Sequence, residues 1–349
     1  MALLTPAQLK ELNLSLRQKY DKGLAARLPR WNLAELASME TTDQEETIIH
    51  WMDRSPLVRD WTGIAKEIAN ISERGMRVKT RFLELTVGLQ LAELERGNKR
   101  SLKIGLQHVV NGAARYKHDL CVNALLNNGI SVDPTHPKSA TYVGFDGQGL
   151  FGDHPITPDL AMTAQFVLPV SKAKVTNVQN NVVTTNPLSP EGWQKARQRA
   201  RSFRDPRGVN LGVELNTIIC PPQLKEAAYE AIGAKIVAVF PTANNGASKE
   251  NVNATILSDG SMVICWPDLD IGTGASQANW YGIDRNHELA GKAFEVLVEK
   301  EMVFGTNLAQ VAALTESQAI KDEQVLLAAS GRAVAYATLW FLFVKNQAS

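Results

Sequence analysis

The clearest hydrophobic pattern along the chain is helical and lies near its first third. Apolar residues recur there at intervals of three or four, as one face of an α-helix requires: Leu102, Leu106, Val109, Ala113, Tyr116, Leu120 and Ala124. The pattern predicts a single helix over residues 98–127, with Gly129 just past its end. At 1.5 Å per residue such a helix is roughly 45 Å long, enough to form a spine across a domain.

A second pattern, alternating between apolar and polar residues, predicts strands before this helix. Residues 47–52 favour a strand, and residues 76–82 alternate strictly between an apolar face that includes Phe82 and a basic face. The two runs predict a long hairpin, which needs a surface to lie on because an isolated hairpin is only marginally stable in water. Nothing local supplies that surface, so we expect another subunit to do so. The candidate inter-subunit contacts are Trp51, Trp61, Arg77, Lys79 and Arg81.

Capping residues and breakers predict the remaining elements. Pro6 begins a first helix that ends at Gly23, and Ser189 caps a second helix over residues 191–204. A strand at 215–220, a helix at 223–232 and a hairpin with strands at 252–257 and 262–266 follow, which favours a compact α/β unit. The apolar run 333–344 predicts one buried strand, since its 12 residues fall short of the ~20 that a membrane-spanning helix needs.

Composition excludes several classes of function. The 37 basic and 36 acidic residues give a net charge of +1, so no overall field draws the chain to nucleic acid or to a membrane. The three cysteines are widely spaced and the six histidines are scattered, which argues against a disulfide scaffold and a zinc module. The N-terminal residues lack the pattern of a signal peptide, and we expect a reducing cytoplasm.

The strongest local candidate for chemistry is a turn that contains Asp146, Asp153 and His154, with His136 upstream. Carboxylate and imidazole groups could shuttle protons or hold a divalent ion, which leaves a soluble enzyme as one hypothesis. The spacing fits no calcium loop, however, and Asp and Gly are ordinary turn residues, so we favour a structural turn. Residues 284–288 are interpreted as a polar loop in the same way. We therefore expect no catalytic residue, no cofactor and no metal.

The helix predicted at 191–204 is strongly basic. Arg197, Arg201 and Arg204 share one face of it, and they are candidate contacts to DNA or to an acidic partner. The alternative interpretation is a solvated helix face with glutamate partners elsewhere in the chain. A dedicated DNA-binding module is disfavoured by the near-zero net charge.

Five stretches, in this order, resemble the Mu-like prophage major head subunit (gpT) family. They are the helix start at Thr5, residues 82–89 leading into the long helix, the turn at 145–155, the strand and double proline at 218–224, and the C-terminal stretch 331–340. The turn, with its Asp-Gly-Gln and His-Pro, is the most recognisable of them. The stretch 93–100 and residues 243–253 depart from the family pattern.

The resemblance implies an α+β fold of the Hong-Kong-97 type, found in phage capsids. It implies an N-terminal arm (1–36), an extended hairpin loop (37–90), a peripheral domain (91–190) with a spine helix at about 98–128, an axial domain (191–300), and C-terminal strands (301–349) that return to the peripheral domain. A chain of this family would be the major capsid protein of an icosahedral shell around double-stranded phage DNA. A bacterial nanocompartment shell of the same fold, enclosing a cargo enzyme, is the alternative.

The resemblance also implies partners. The chain would form hexamers and pentamers with itself, meet a portal, and contact packaged DNA non-specifically; decoration proteins are a further candidate. Because the first helix begins near residue 6, we expect a separate scaffold protein to guide assembly in the bacterial host cytoplasm, without a membrane. No motif for covalent crosslinking is matched.

Overall fold

A computed structural model describes most of the chain. The described residues are 6–27, 33–52, 73–90, 99–131, 144, 146–155, 178–204, 210–233, 260–269, 279–288, 291–307 and 324–347. They form two compact units, each assembled from three separate stretches of the chain. The first unit comprises residues 1–48, 77–121 and 295–335, and the second comprises residues 49–76, 122–294 and 336–349.

The helices and strands are numbered in chain order. The helices are α1 (Pro6–Ala25), α2 (Leu33–Leu36), α3 (Lys99–Leu126), α4 (Pro190–Arg201) and α5 (Lys225–Ala231). The strands are β1 (Ala37–Thr41), β2 (Glu46–Met52), β3 (Glu73–Lys79), β4 (Arg81–Gln90), β5 (Asp153–Pro155), β6 (Val178–Asn180), β7 (Val182–Val183), β8 (Thr217–Cys220), β9 (Met262–Cys265), β10 (Trp280–Ile283), β11 (Phe294–Thr306), β12 (Gln324–Ala337) and β13 (Phe343–Asn346).

The first unit contains a four-stranded sheet in the order β1-β11-β12-β4. Strands β12 and β4 run antiparallel over ten pairs, from Gln324 opposite Gln90 to Ala333 opposite Arg81. Helix α3 lies close to this sheet at two glycines, since a Cβ on Gly105 would touch Leu89 and one on Gly112 would clash with Leu85. The close approach lets the buried face of the long helix cover the sheet.

The second unit contains a mixed five-stranded sheet in the order β7-β13-β10-β8-β9. Strand β10 pairs antiparallel with β8 and β13, whereas β9 runs parallel to β8. Its core is aromatic: Trp266, Trp280, Phe294 and Phe343 are almost fully buried. Strands β5 and β6 form a separate two-stranded sheet.

The predicted spine helix is confirmed almost to the residue, because α3 spans Lys99–Leu126. Among the helices that the structure describes, none is long and apolar enough to cross a membrane.

One predicted element needs correction and another stays a prediction. The run 333–344 is not one strand: β12 ends at Ala337, a short 3-10 turn follows at Trp340–Leu342, and β13 begins at Phe343. Strand β9 pairs with β8 in parallel, while the partner predicted for it at 252–257 lies outside the described residues.

Candidate assembly surfaces

The predicted hairpin is present as a two-stranded sheet of β2 and β3. Its basic face is paired within the chain: Lys79 Nζ lies 2.9 Å from Glu45, and Arg77 Nη1 lies 3.7 Å from Glu46. The bond to Lys79 lowers the pKa of Glu45 and raises that of Lys79. Both pairs are exposed to solvent, where ion pairs contribute little to stability.

The apolar face of the hairpin is buried at its base. Met76 and Val78 are 4% and 1% exposed, so the stem does have packing within the chain, contrary to the expectation that nothing local supports it. Trp51 belongs to β2, with a side chain outside the described part of the structure, and Trp61 lies outside the described residues altogether.

The strict alternation predicted over 76–82 breaks at Thr80. The hydroxyl of Thr80 donates to Glu299 at 2.5 Å and its amide donates to the carbonyl of Glu45 at 2.8 Å, so β3 ends at Lys79 and β4 begins at Arg81. The phase of the alternation shifts there: Arg81 becomes half-buried and Phe82, predicted on the apolar face, is 61% exposed. This break places a large aromatic ring on the surface of the first unit.

The basic helix α4 begins as predicted, with the hydroxyl of Ser189 accepting from the amide of Gly192 at 3.0 Å. Two of its three arginines, however, converge on one carboxylate. Arg197 Nε lies 3.1 Å and Arg201 Nε 2.7 Å from the carboxylate oxygens of Glu214. The bond from Arg201 in particular holds the pKa of Glu214 below its usual value.

Arg204 does not share the helix face predicted for it. The helix ends at Arg201, and the amide and carbonyl of Arg204 exchange hydrogen bonds of 2.8 Å with the side-chain amide of Gln179. The structure thus brings Arg197 and Arg201 together around Glu214, while Arg204 follows the end of the helix. The exposed cations of α4 are Lys195, Arg199 and Arg201.

The turn that contains Asp146 and His154 is a packed structural unit. His154 Nδ1 lies 2.6 Å from the Asp146 carboxylate, and the His154 ring, 1% exposed, stacks on Trp340 at 4.0 Å. Burial acts to raise the pKa of Asp146, but the hydrogen bond and charge of His154 outweigh it and keep that pKa low. The Asp146 carboxylate and His154 Nδ1 therefore satisfy each other within the fold, while the buried Nε2 of His154 has no hydrogen-bond partner among the described residues.

Asparagines complete this turn. The side-chain amide of Asn181 donates to the carbonyls of Leu150 and Trp340 at 2.7 and 3.1 Å, and its oxygen accepts from the amide of Gly152 at 3.1 Å. The side-chain oxygen of Asn128 accepts from the amide of Phe151 at 2.6 Å. These bonds tie the end of the spine helix to the turn, which is what a structural interpretation of the motif requires.

One buried polar network was missed by the sequence analysis. Asp284, 4% exposed, accepts from the amide of Glu214 at 3.0 Å and from the side chain of Asn216 at 3.3 Å, and burial raises its pKa. The stretch 284–288 was interpreted as a polar loop, yet Asp284 and His287 are both buried. A run of charged residues gives no sequence signal for burial, because their partners lie about 70 residues away.

Comparisons with known proteins bear on this architecture. The model of the phage capsid protein family matches residues 101–317, and the model described as Mu-like prophage major head subunit gpT matches residues 9–180. The resemblance indicated by the sequence motifs is thereby confirmed. No curated protein matches the sequence.

The chain is also similar to solved structures of low sequence identity. One is the procapsid of bacteriophage JBD30, with 14% identity over 98% of this chain and 76% of that chain and a TM-score of 0.47. Another is the mature capsid of bacteriophage PhiM1, with 11% identity over 90% of this chain and 85% of that chain and a TM-score of 0.48. A virus-like particle from Pyrococcus furiosus is also similar, with 10% identity over 95% of this chain and 97% of that chain and a TM-score of 0.48.

Proposed function

Because this chain belongs to the phage capsid protein family and is a major capsid protein, we propose that its copies assemble into an icosahedral shell that encloses double-stranded phage DNA. The observation that carries the proposal is the family match over residues 101–317, which spans the spine helix, the turn at 146–155, α4 and β8–β11.

The fold class expected from the resemblance, α+β of the Hong-Kong-97 type, is confirmed. The structure has a 28-residue spine helix and two larger sheets in separate units, and the family match covers the helix and strands of both.

The parts of the subunit have proposed roles in the shell. Residues 1–36 form an arm and residues 37–90 a loop that lies over a neighbouring subunit. Residues 91–190 and 301–349 form the peripheral domain, and residues 191–300 form the axial domain around the five-fold and six-fold axes. Such contacts are heterologous and close by symmetry, so the function resides in extended contact surfaces.

The hairpin supports this assignment of roles. Its stem is fixed by the burial of Val78 and by the bonds of Thr80, while Arg77 and Lys79 stay on the exposed side. A neighbour could still contact both cations, because each keeps more than half of its side chain exposed. With Trp51, Trp61 and Arg81, they remain candidate inter-subunit contacts.

Other partners belong to the same proposal. We expect hexamers and pentamers of this chain, a separate scaffold protein, a portal, and decoration proteins, with Arg197, Arg201 and Arg204 as candidate contacts to DNA or an acidic partner. The protein is part of the virion capsid, and assembly would take place in the host cytoplasm. Capsid proteins are structural, and we propose that this chain catalyses no reaction.

Electron microscopy of the purified full-length chain, expressed with its phage genes, tests the assignment. We expect closed icosahedral particles that contain nuclease-protected double-stranded DNA. Particles that hold protein cargo and no nucleic acid would instead indicate a nanocompartment. A chain that stays monomeric under the same conditions would refute the proposal.

A further inference from the structure

Helices α1 and α3 form one layer on the sheet of the first unit. Tyr20 of α1 donates to the carbonyl of Met302 at 3.0 Å and packs on Phe304 at 5.3 Å between ring centres. Tyr116 of α3 donates to Glu301 of the same strand at 2.5 Å. The two helices also touch each other, since a Cβ on Gly23 would lie 3.0 Å from Val110. We call α1 and α3 together the helical layer.

The helical layer is strongly basic although the chain is almost neutral. Over the stretches 10–27 and 100–121 it carries nine Lys and Arg residues against three Asp and Glu residues. The four strands of the sheet beneath it carry three basic and five acidic residues. The first unit is therefore electrically polarised, with positive charge on its helices.

Six of the nine basic residues are exposed, namely Lys10, Arg17, Lys19, Lys22, Arg100 and Lys103, whereas Arg115 and Lys117 pair with Asp119 and Glu301. Val109 of α3 is buried and faces the sheet, and Arg100 lies on the opposite side of the helix. The outer side that contains Arg100 also contains Lys103, Gln107 and Asn111. Lys103 is exposed, as are Lys19 and Lys22 on α1. Long, flexible cations distributed along two helices are suited to a polyanion rather than to a single small anion.

The charge distribution on α3 works against the stability of the helix itself. Its first turn has no acidic residue, and no acidic residue follows until Asp119. Cations near a helix N-terminus interact unfavourably with the helix dipole. The placement of these cations is therefore not explained by the stability of the helix.

The same surface favours a duplex over a single strand. Over residues 10–27 and 100–121 the Phe, Tyr and Trp residues are Tyr20 and Tyr116, and both are buried, so these stretches offer no exposed Phe, Tyr or Trp for base stacking. Exposed Gln107 and Asn111 can donate to phosphate and sugar oxygens between the cations.

We propose that the helical layer binds the phosphate backbone of double-stranded nucleic acid and forms the inner wall of the shell. The inner position of the helical layer rests on the proposed capsid function, whereas its binding to a duplex does not. Helix α4 is a weaker candidate for this role, because Glu214 already neutralises part of the charge of Arg197 and Arg201.

Salt-dependent binding to DNA tests this inference. The purified, unassembled full-length chain is titrated into a short fluorescein-labelled duplex, and the affinity is read from fluorescence anisotropy at several salt concentrations. The test variant carries Lys19→Gln, Lys22→Gln and Lys103→Gln. A control with the same change in net charge carries substitutions elsewhere: Lys195→Gln, Arg199→Gln and Lys300→Gln. All six residues are exposed, and circular dichroism verifies that both variants fold.

We expect the test variant to lose up to about eightfold in affinity per lost contact at 0.1 M salt, and to reduce the salt slope by up to about 0.9 per contact. The control should retain the affinity and the slope of the unchanged chain. Equal losses in both variants, or no loss in either, would overturn the inference. So would binding of poly-glutamate, rather than duplex, that depends on the three substituted lysines, since that result indicates an acidic protein partner.

This result is separable from the test of the proposed function. Closed particles formed by a chain whose helical layer does not bind duplex would refute only the inference. Duplex binding by a chain that never forms particles would refute only the capsid assembly.

Discussion

Substitution of His154 by alanine removes a buried imidazole that is hydrogen-bonded through its Nδ1 and stacked on a neighbouring ring. Its Nδ1 lies 2.6 Å from the Asp146 carboxylate, and its ring stacks 4.0 Å from the ring of Trp340. A hydrogen bond to a charged group contributes about 1.5–3 kcal/mol and a ring stack about 0.5–1.5 kcal/mol. We therefore expect His154→Ala to lower the free energy of unfolding by about 2–4 kcal/mol.

Urea unfolding of the full-length chain, followed by circular dichroism, measures this loss. The single variants His154→Ala and Asp146→Ala and the double variant form a cycle that isolates the interaction between the two side chains. We expect a coupling energy of about 1–2 kcal/mol, because contacting residues in one network are non-additive. His108→Ala is the matched control: this histidine is exposed on the spine helix, and its loss should change stability by less than about 0.5 kcal/mol.

We also expect the stability contributed by Asp146 and His154 to depend on pH. The pKa of Asp146 lies below its ordinary value of 3.8 in the folded chain, so the unfolded chain takes up the proton more readily. The stabilisation is complete above about pH 4 and is lost as the pH falls through the folded pKa. In Asp146→Ala this part of the acid-induced loss of stability should disappear.

Two results would refute the reasoning. One is a coupling energy below about 0.3 kcal/mol, within the additivity of independent sites. The other is a His154→Ala variant as stable as His108→Ala. Loss of an enzymatic turnover in His154→Ala with unchanged stability would instead support the enzyme hypothesis.

Three further predictions concern the packing of single residues. Gly331→Ala should lower the free energy of unfolding by about 1–3 kcal/mol, since its Cβ would lie 2.8 Å from the backbone oxygen of Lys300. Gly305 has open space around it, so Gly305→Ala should not lower the free energy of unfolding, and the urea midpoints of the two variants are compared. Ser189→Ala should lower stability by about 1 kcal/mol in the same assay through loss of the helix cap, and an unchanged midpoint would contradict the cap. Phe82→Ser should change the unfolding free energy by less than about 0.5 kcal/mol, since the ring is 61% exposed, and a larger loss would show that the ring is packed.

Local periodicity was sufficient to predict the spine helix and insufficient to predict which side chains of β4 are buried. The buried residues of α3 repeat over seven turns, a signal that tertiary contacts only reinforce. The alternation at 76–82 is equally regular, yet Thr80 interrupts it by bonding to Glu45 and to Glu299. Glu299 is 219 residues away along the chain, so no local window contains the cause.

The candidate sites show the same limit. The turn at Asp146 was interpreted as structural because its residue types are those of turns, and this stays a prediction; the role of Trp340 as the stacking partner of His154 could not be predicted. The three-arginine face was predicted from helical spacing alone, and Glu214, which binds two of the arginines, lies beyond the helix. Hydropathy likewise could not divide the run 333–344, since both strands in it are buried.

The order of strands in the first sheet determines how late this sheet can fold while the chain is being synthesised. Strand β1 lies beside β11, and β4 lies beside β12, so two strands near the N-terminus are joined only by partners more than 200 residues later. Contacts at such separations form late and slowly. As the ribosome makes the chain, the sheet stays incomplete until residue 337 has emerged. We therefore expect a partly translated subunit to lack the complete sheet, and only finished copies to enter a particle.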